Sequence, residues 1–316
     1  MNPVIRRRLI ALVPTLVAIT MLAFSLQLLI PGGPAEVLAA QSGGTQSVQD
    51  FERQLGYDRP WLVRYGEWLV NAAQGDLGFS YRTGTPVREL ILDRAGASFA
   101  LVLLATLTAT IVGSVLGIVA AIQRNNRFGR TLTALFGLGL SIPNFWLATL
   151  MVGFFAVTLG WLPAGGYPGF DNGLVEFGRS MIMPVIVLAL PSSALIARQV
   201  NSAMVKALES SYVRTARATG LTKRDVVWVH ALRNSLSPLV VLLPVVVSSL
   251  VGGAVVVESI FNIPGLGSAI VDAALQRDFL VLQGIVLILA LLVLILNILA
   301  DIALGIIDPR VRSASA

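Results

Sequence analysis

The residues that could carry chemistry are few, and many of them are basic side chains in one polar stretch. Residues 198–235 hold seven basic side chains against two acidic ones. The chain of 316 residues has no cysteine and a single histidine, His230. These counts exclude a thiolate metal site and a multi-histidine metal site. Ion pairing with an acidic partner is therefore the chemistry that this stretch favours.

The same stretch has the sequence pattern of two short helices joined by a turn. Gly220 stands where a helix C-terminus needs a residue that accepts positive φ. Thr222, with Asp225 three residues later, predicts a capping box that begins a second helix. We expect the first helix to carry a less polar face, formed by Leu208, Tyr212, Ala216 and Thr219. A short, rigid helix–turn–helix of this kind is well suited to being pushed by a partner.

Composition identifies the elements that must position this stretch. The chain is 55% hydrophobic and 13% charged, and its mean hydropathy is +0.80. Soluble domains carry about 25% charged residues. Several uncharged runs exceed the roughly 18 residues that mark a membrane-spanning helix. We therefore predict an all-α polytopic membrane protein with six spans, near residues 9–30, 97–122, 131–160, 181–200, 236–257 and 280–307.

The first apolar run admits a second interpretation. Three arginines, Arg6 to Arg8, precede it, as they would in a cleaved signal peptide. The run from Leu9 to Ile30 is longer than the 7 to 15 residues typical of a signal peptide's apolar core, which favours a retained span.

The predicted organisation is residues 1–30 for the N-terminal end and first span, 31–96 for a small folded external loop, and 97–316 for the remaining spans. Prolines 143, 184, 191, 238 and 244 predict kinks in these spans.

Charge placement predicts the orientation. The N-terminus, residues 123–130, residues 198–235 and the C-terminus together carry 15 of the 23 Lys and Arg residues. By the positive-inside rule these pieces are cytoplasmic, so both termini lie inside and 198–235 forms a cytoplasmic coupling loop.

Several function classes fit the sequence poorly. Outside their ends, the predicted spans contain no Asp, Glu, Lys or Arg, which argues against an ion-coupled secondary transporter. The two lysines, Lys206 and Lys223, do not complete a phosphate-binding G-x-x-x-x-G-K-[ST] motif, so we expect no ATP hydrolysis by this chain. The sequence lacks the paired carboxylates or the zinc motif that a membrane hydrolase would need. A DNA-reading helix–turn–helix is disfavoured because residues 198–235 would have no helical core to dock on. A transporter with neither ion coupling nor a nucleotide site requires a partner that supplies the energy.

The stretch also resembles a known family. Residues Tyr212 to Leu221, YVRTARATGL, and His230 to Asn234, HALRN, are similar to the cytoplasmic loop of permease subunits in ABC-type importers of the dipeptide, oligopeptide and nickel branch. The resemblance implies that ATPase coupling is carried by Tyr212, Arg214, Thr215, Ala216, Arg217, Ala218, Gly220 and Leu221. It also implies a second permease subunit, two cytoplasmic ATPases that bind ATP and Mg, and an external solute-binding protein. The bilayer is a further partner, nucleic acid is not, and no cofactor is expected in this chain.

Two further segments resemble the same family. The first is SIPNFW, residues 141–146, and the second is ESIFNIPGLG, residues 258–267. The second is similar to an external re-entrant turn, and an ordinary interfacial turn explains it equally well. Candidate pathway or external-gate residues are Pro143, Asn144, Glu258, Phe261, Pro264 and Gly265. The resemblance implies dipeptides or oligopeptides as solutes, with nickel complexes and glutathione as alternatives.

Overall fold

The computed structural model describes residues 3–29, 34–41, 47–170, 173–235 and 237–307, and nearly all of its regular structure is helical. The chain forms two compact units. Unit 1 comprises Met1–Ile5, Phe99–Ile263 and Ile295–Ala316, and unit 2 comprises Arg6–Ser98 and Pro264–Leu294. The predicted all-α class is confirmed.

The first half of the chain contains α1 (Pro3–Leu29), α2 (Pro34–Gln41), α3 (Val48–Gln54), α4 (Trp61–Ala73), α5 (Val87–Ile122), α6 (Arg127–Ser141) and α7 (Asn144–Met151), which continues as the π-helix Val152–Thr158. The second half contains α8 (Leu174–Glu209), α9 (Ser211–Ala218), α10 (Lys223–Asp225), the π-helix Val226–Ala231, α11 (Leu232–Ser235), α12 (Ser237–Ile260), α13 (Leu266–Leu275) and α14 (Phe279–Ile307).

The predicted count of six spans is not reproduced within the described residues. Four helices are long and apolar enough to cross a membrane: α5, α8, the part of α12 from Val241 to Ile260, and the part of α14 from Phe279 to Leu299. The helical pair Arg127–Ser141 and Asn144–Thr158 is bent by 99° and would count as a fifth span if taken together. The apolar part of α1, Ile10–Ser25, is shorter than these helices.

Proline breaks the predicted third span but not the fourth. The chain leaves α6 at Ile142 in an extended conformation and resumes helix at Asn144, because Pro143 disfavours helical geometry in the residue before it. The kink predicted at Pro143 within the span 131–160 is therefore present, as a break between α6 and α7 with a bend of 99°. Pro184 and Pro191 lie inside the unbroken α8, and Pro244 lies inside α12. Prolines inside membrane helices are tolerated where neighbouring helices pack around them.

Helix α8 forms the core of unit 1. In its most apolar stretch 72% of the residues are buried, against 28% for α5. Helix α5 approaches α8 through two glycines one turn apart. A Cβ atom on Gly113 would lie 2.6 Å from the carbonyl oxygen of Ser193, and one on Gly117 would lie 2.6 Å from that of Ala197. Small residues at this spacing allow the two backbones to approach closely, as membrane helices commonly do.

Unit 2 confirms the prediction that residues 31–96 contain a folded element. Tyr65 and Trp68 of α4 are buried with Phe24 of α1 in one apolar cluster. The Tyr65 hydroxyl lies 2.9 Å from the Thr20 hydroxyl, which ties α4 to α1. The Ser80 hydroxyl donates to the buried carboxylate of Asp278. These buried contacts connect segments distant in sequence, so this loop is packed rather than an open linker.

Candidate functional site

The candidate coupling segment begins at a sharp break after α8. Ser210 is extended, with φ −65° and ψ 157°, and it separates α8 from the eight-residue α9. Its hydroxyl donates to the carbonyl oxygen of Ala207 at 2.6 Å, a local bond that competes with helical geometry. The predicted single helix through Leu208 and Thr219 is therefore wrong, because Leu208 belongs to α8.

The end of α9 is closed around Gly220, as predicted. Gly220 has φ +87°, in the left-handed region that side chains other than glycine rarely adopt. The Leu221 N–H donates to the Ala216 carbonyl at 3.2 Å, and the Gly220 N–H donates to the Arg217 carbonyl at 3.1 Å. This pair of bonds is a Schellman motif, which satisfies carbonyls that the helix end would otherwise leave open.

The predicted start of the second helix is also confirmed. The Asp225 N–H donates to the Thr222 hydroxyl at 3.2 Å, and that hydroxyl donates to the Asp225 carboxylate at 2.6 Å. The helix continues from α10 through the π-helix Val226–Ala231 into α11. Four residues, 219–222, therefore separate the end of α9 from the first residue of α10, Lys223.

The buried face of α9 differs from the predicted one. Val213 and Ala216 of α9 pack against Val226 of the following helix. Tyr212 and Thr219, predicted to form the less polar face, are exposed. The difference arises because the helix begins at Ser211 and its facing partner, Val226, follows the glycine turn. The exposed fraction of Ala216 is 9%, so its small side chain allows close packing within the segment.

The other predicted coupling residues share the exposed side of the segment. They are Tyr212, Arg214, Thr215, Arg217, Ala218, Gly220 and Leu221. The exposed fractions of Tyr212 and Leu221 are 41% and 42%, so two apolar side chains accompany the two arginines on this surface. We call this set, together with buried Ala216, the α9 surface.

Two contacts of Glu209 fix the entry to α9. Arg124, which follows α5, forms an ion pair with the Glu209 carboxylate at 2.7 Å. Arg214 donates to the Glu209 carbonyl oxygen at 3.3 Å. Both partners of the ion pair are substantially exposed, so it contributes at most about 1 kcal/mol of stability. Its effect is to link the segment after α5 to the beginning of the α9 surface.

The first pair of candidate pathway residues lies beside α12. Asn144 begins α7 directly after Pro143. A Cβ atom on Gly253 of α12 would lie 3.0 Å from the Asn144 amide nitrogen and 2.9 Å from Leu188 of α8. Gly253 therefore allows α7, α8 and α12 to meet closely at this point in unit 1.

The second pair lies at the end of α12. Glu258 and Phe261 are almost completely buried, at 0% and 1% exposure. The carbonyl oxygen of Phe261 accepts the Gly166 N–H at 2.7 Å, and a Cβ on Gly165 would lie 2.4 Å from the same oxygen. The segment after α7 is thus fastened to the end of α12 by its backbone. The buried Phe261 thus makes this contact through its backbone, and the buried acid Glu258 lies three residues before it.

Pro264 and Gly265 belong to unit 2, where they precede a helix that sequence reasoning missed. Pro264 is exposed and Gly265 is buried. The Gly265 N–H donates to the Ser268 hydroxyl at 3.1 Å, and the Leu266 N–H donates to the Ser98 hydroxyl at 2.7 Å. These bonds begin α13. A partial signal was available, because glycine is accepted at an N-cap and a mostly apolar run begins at Leu266.

Within the described residues, no group of three His, Cys, Asp or Glu side chains could hold a metal ion. The side chain of His230 lies outside the described part of the structure.

Long apolar helices joined by a basic helix–turn–helix are the architecture of a multi-pass membrane protein. The chain belongs to the family described as "Binding-protein-dependent transport system inner membrane component", whose model matches residues 113–313. Residues 1–102 match the companion N-terminal model, "Binding-prot-dependent transport system membrane comp, N-term". The chain is therefore an ABC importer permease of the bacterial inner membrane, and the resemblance inferred from the sequence is confirmed.

Full-length relatives are similar over almost the whole chain. The oligopeptide transport system permease protein AppB of Bacillus subtilis is 37% identical over 312 residues, covering 98% of each chain. The di/tripeptide transport system permease protein DppB of Pseudomonas aeruginosa is 37% identical over 329 residues, again covering 98% of each. Among solved structures, an inward-facing MetNI methionine ABC transporter matches with a TM-score of 0.58 and 19% identity, covering 69% of this chain and 96% of that one. That structural match supports the fold.

Proposed function

We propose that this chain forms half of the translocation pathway of an ATP-driven peptide importer and couples to a cytoplasmic ATPase through the α9 surface. Dipeptides or oligopeptides are the proposed solutes, because the full-length relatives are named as permeases of oligopeptide and di/tripeptide transport systems. A related second permease forms the other half of the pathway. An external solute-binding protein delivers the peptide, and two ATPase subunits bind ATP and Mg.

The observation that carries the coupling proposal is the construction of the α9 surface. A helix of eight residues would be marginally stable by itself in water. Here Ser210 sets its beginning, the Schellman motif closes its end, and Val213 and Ala216 anchor its inner face on Val226. The exposed residues of the segment then include Arg214 and Arg217 together with Tyr212 and Leu221. That combination suits docking into an acidic groove with apolar walls.

Rigidity determines what such docking could transmit. Because α9 is packed against the helix that leads into α12, a push on the α9 surface is expected to reach that span. The Arg124–Glu209 ion pair gives a second connection, towards α5. We therefore propose that ATP-driven closure of the ATPases moves α5, α8 and α12 together and switches the pathway between inward-open and outward-open states. The contact of the buried Phe261 with Gly165 and Gly166 is the proposed external gate.

A reconstitution experiment tests this function. The permease pair, ATPases and binding protein are assembled in proteoliposomes with a labelled dipeptide and a labelled disaccharide of similar size. We expect ATP-dependent accumulation of the dipeptide only when all subunits are present. Energised uptake by this chain alone, or equal uptake of the disaccharide, would contradict the proposal.

A further inference from the structure

A polar cavity in unit 2 has no part in the transport account. Its volume is about 180 Å³, and its walls include Gln27 of α1, Tyr57, Arg64 and Trp68 around α4, and Gln283 of α14. A cavity of about 150 Å³ can hold benzene, so this one has room for a molecule of about six non-hydrogen atoms.

Three polar atoms in the walls have no hydrogen-bond partner among the described residues. They are Nε2 of Gln27, Nε1 of Trp68 and Oε1 of Gln283. The three residues are 8%, 7% and 1% exposed, so bulk water does not compensate these groups. Buried polar groups are nearly always paired in folded proteins, so three unpaired atoms in residues around one cavity point to a site for a polar ligand. Two of the atoms donate and one accepts.

The orientation of Gln27 follows from its neighbours. Its Oε1 accepts from the Tyr57 hydroxyl at 3.0 Å and from Arg64 at 2.9 Å. Because both neighbours are donors, the amide oxygen must face them, and the two N–H bonds of Nε2 remain for another acceptor. The Arg64 guanidinium also stacks on the Tyr57 ring, 3.5 Å from its centroid. The donors are therefore held in place before any ligand arrives.

The cavity wall carries two cations and two carboxylates, and one of the cations, Arg64, has no ion-pair partner among the described residues. Arg59 is paired with Glu67 at 2.6 Å, and Asp76 accepts the Gly78 N–H at 2.9 Å. In the described part of the chain, no carboxylate lies within ion-pair distance of Arg64. Burial raises the pKa of Tyr57 and of Tyr81, so both hydroxyls are neutral near pH 7 and do not compensate the guanidinium.

We propose that this cavity binds a small free α-amino acid. Its carboxylate faces Arg64 and the N–H groups of Gln27 and Trp68, and its ammonium group donates to Oε1 of Gln283. The two charged ends of such a molecule match the two donors, the cation and the acceptor, and a residue as small as alanine fits the volume. The site lies wholly within unit 2 and is independent of which solute the importer carries.

The test is titration calorimetry of L-alanine into the purified permease complex in lipid nanodiscs without nucleotide. We expect saturable binding, at least tenfold tighter than that of acetate or methylammonium, which each supply one end only. Arg64→Gln and Gln283→Leu should each weaken alanine binding at least tenfold, with unfolding temperatures measured alongside. Arg88→Gln, which removes an exposed charge remote from the cavity wall, should bind alanine normally.

Several results would overturn the proposal. Absence of saturable alanine binding to the unmodified complex would mean that the cavity holds water alone. Equal affinity for alanine and acetate, or unchanged alanine affinity in a folded Gln283→Leu variant, would exclude a zwitterionic ligand for this cavity. If a variant fails to fold, the comparison of the three ligands on the unmodified complex still decides. None of these measurements depends on transport, so their failure is distinct from failure of the proposed function.

Discussion

The backbone N–H of Leu221 donates to the carbonyl oxygen of Ala216, five residues earlier, across the left-handed turn at Gly220. A Cβ atom on Gly220 would meet nothing within 4 Å. A substitution there therefore tests backbone conformation without steric collision. Two substitutions at Gly220 can therefore be compared for their effect on backbone conformation alone.

We expect Gly220→Val to lose most peptide uptake and to release or uncouple the ATPase, because a left-handed conformation costs a branched residue about 1–2 kcal/mol. Gly220→Asn should keep much of the uptake, since asparagine adopts this conformation far more readily. Uptake and ATPase retention are measured in parallel, with membrane insertion as the control. Normal transport by Gly220→Val would show that the turn is dispensable.

The glycine contact between α5 and α8 gives a prediction about stability. In Gly117→Ala the new methyl group would lie 2.6 Å from the Ala197 carbonyl oxygen, so the helices must separate. We expect a loss of about 1–3 kcal/mol, typical of overpacking. Gly96→Ala, on the same helix with nothing within 4 Å, should be neutral or slightly stabilising. Thermal unfolding in detergent measures the stability of both variants. Equal stability of the two would contradict the proposal that close packing of α5 on α8 stabilises the protein.

The contact at Phe261 gives a prediction about gating. Gly165→Ala places a methyl group 2.4 Å from the Phe261 carbonyl oxygen and must displace one of the two segments. If this contact is the external gate, peptide uptake falls while the ATPase stays bound. Gly178→Ala, in α8 with open space around it, serves as control. Unaltered uptake by a Gly165→Ala protein would exclude a gating role for the contact.

Orientation can be tested directly, because the chain contains no cysteine. Single cysteines at Gln74 and Asn126, both exposed, are treated with an impermeant thiol reagent on intact spheroplasts. The charge distribution predicts labelling at position 74 and protection at position 126 until the membrane is opened. The reverse pattern would invert the topology.

Sequence reasoning succeeded where the structural signal is local. The positive φ of Gly220 and the Thr222–Asp225 cap are complete within a few residues, so residue type alone predicts them. Mixed charge with aromatic residues likewise predicted that 31–96 is folded. The family resemblance at YVRTARATGL identified the class of protein. The domain division, the span count and the orientation remain predictions.

Sequence reasoning failed where tertiary contacts decide. The inner face of α9 depends on Val226, which returns to Val213 and Ala216 only after the turn forms. The break at Ser210 falls inside an otherwise helical pattern. The burial of Gln27 and Gln283 around one cavity joins residues 256 positions apart, which no local pattern reveals.

The most direct test of the central claim is photo-crosslinking from α9 in the assembled transporter. A photoreactive amino acid is placed at Ala218, exposed on the α9 surface, and separately at Val213, buried against Val226. Docking on the α9 surface predicts a crosslink to the ATPase from position 218 and none from position 213 in a complex of normal composition. Crosslinks from position 218 to lipid alone, with the ATPase present and active, would contradict the account.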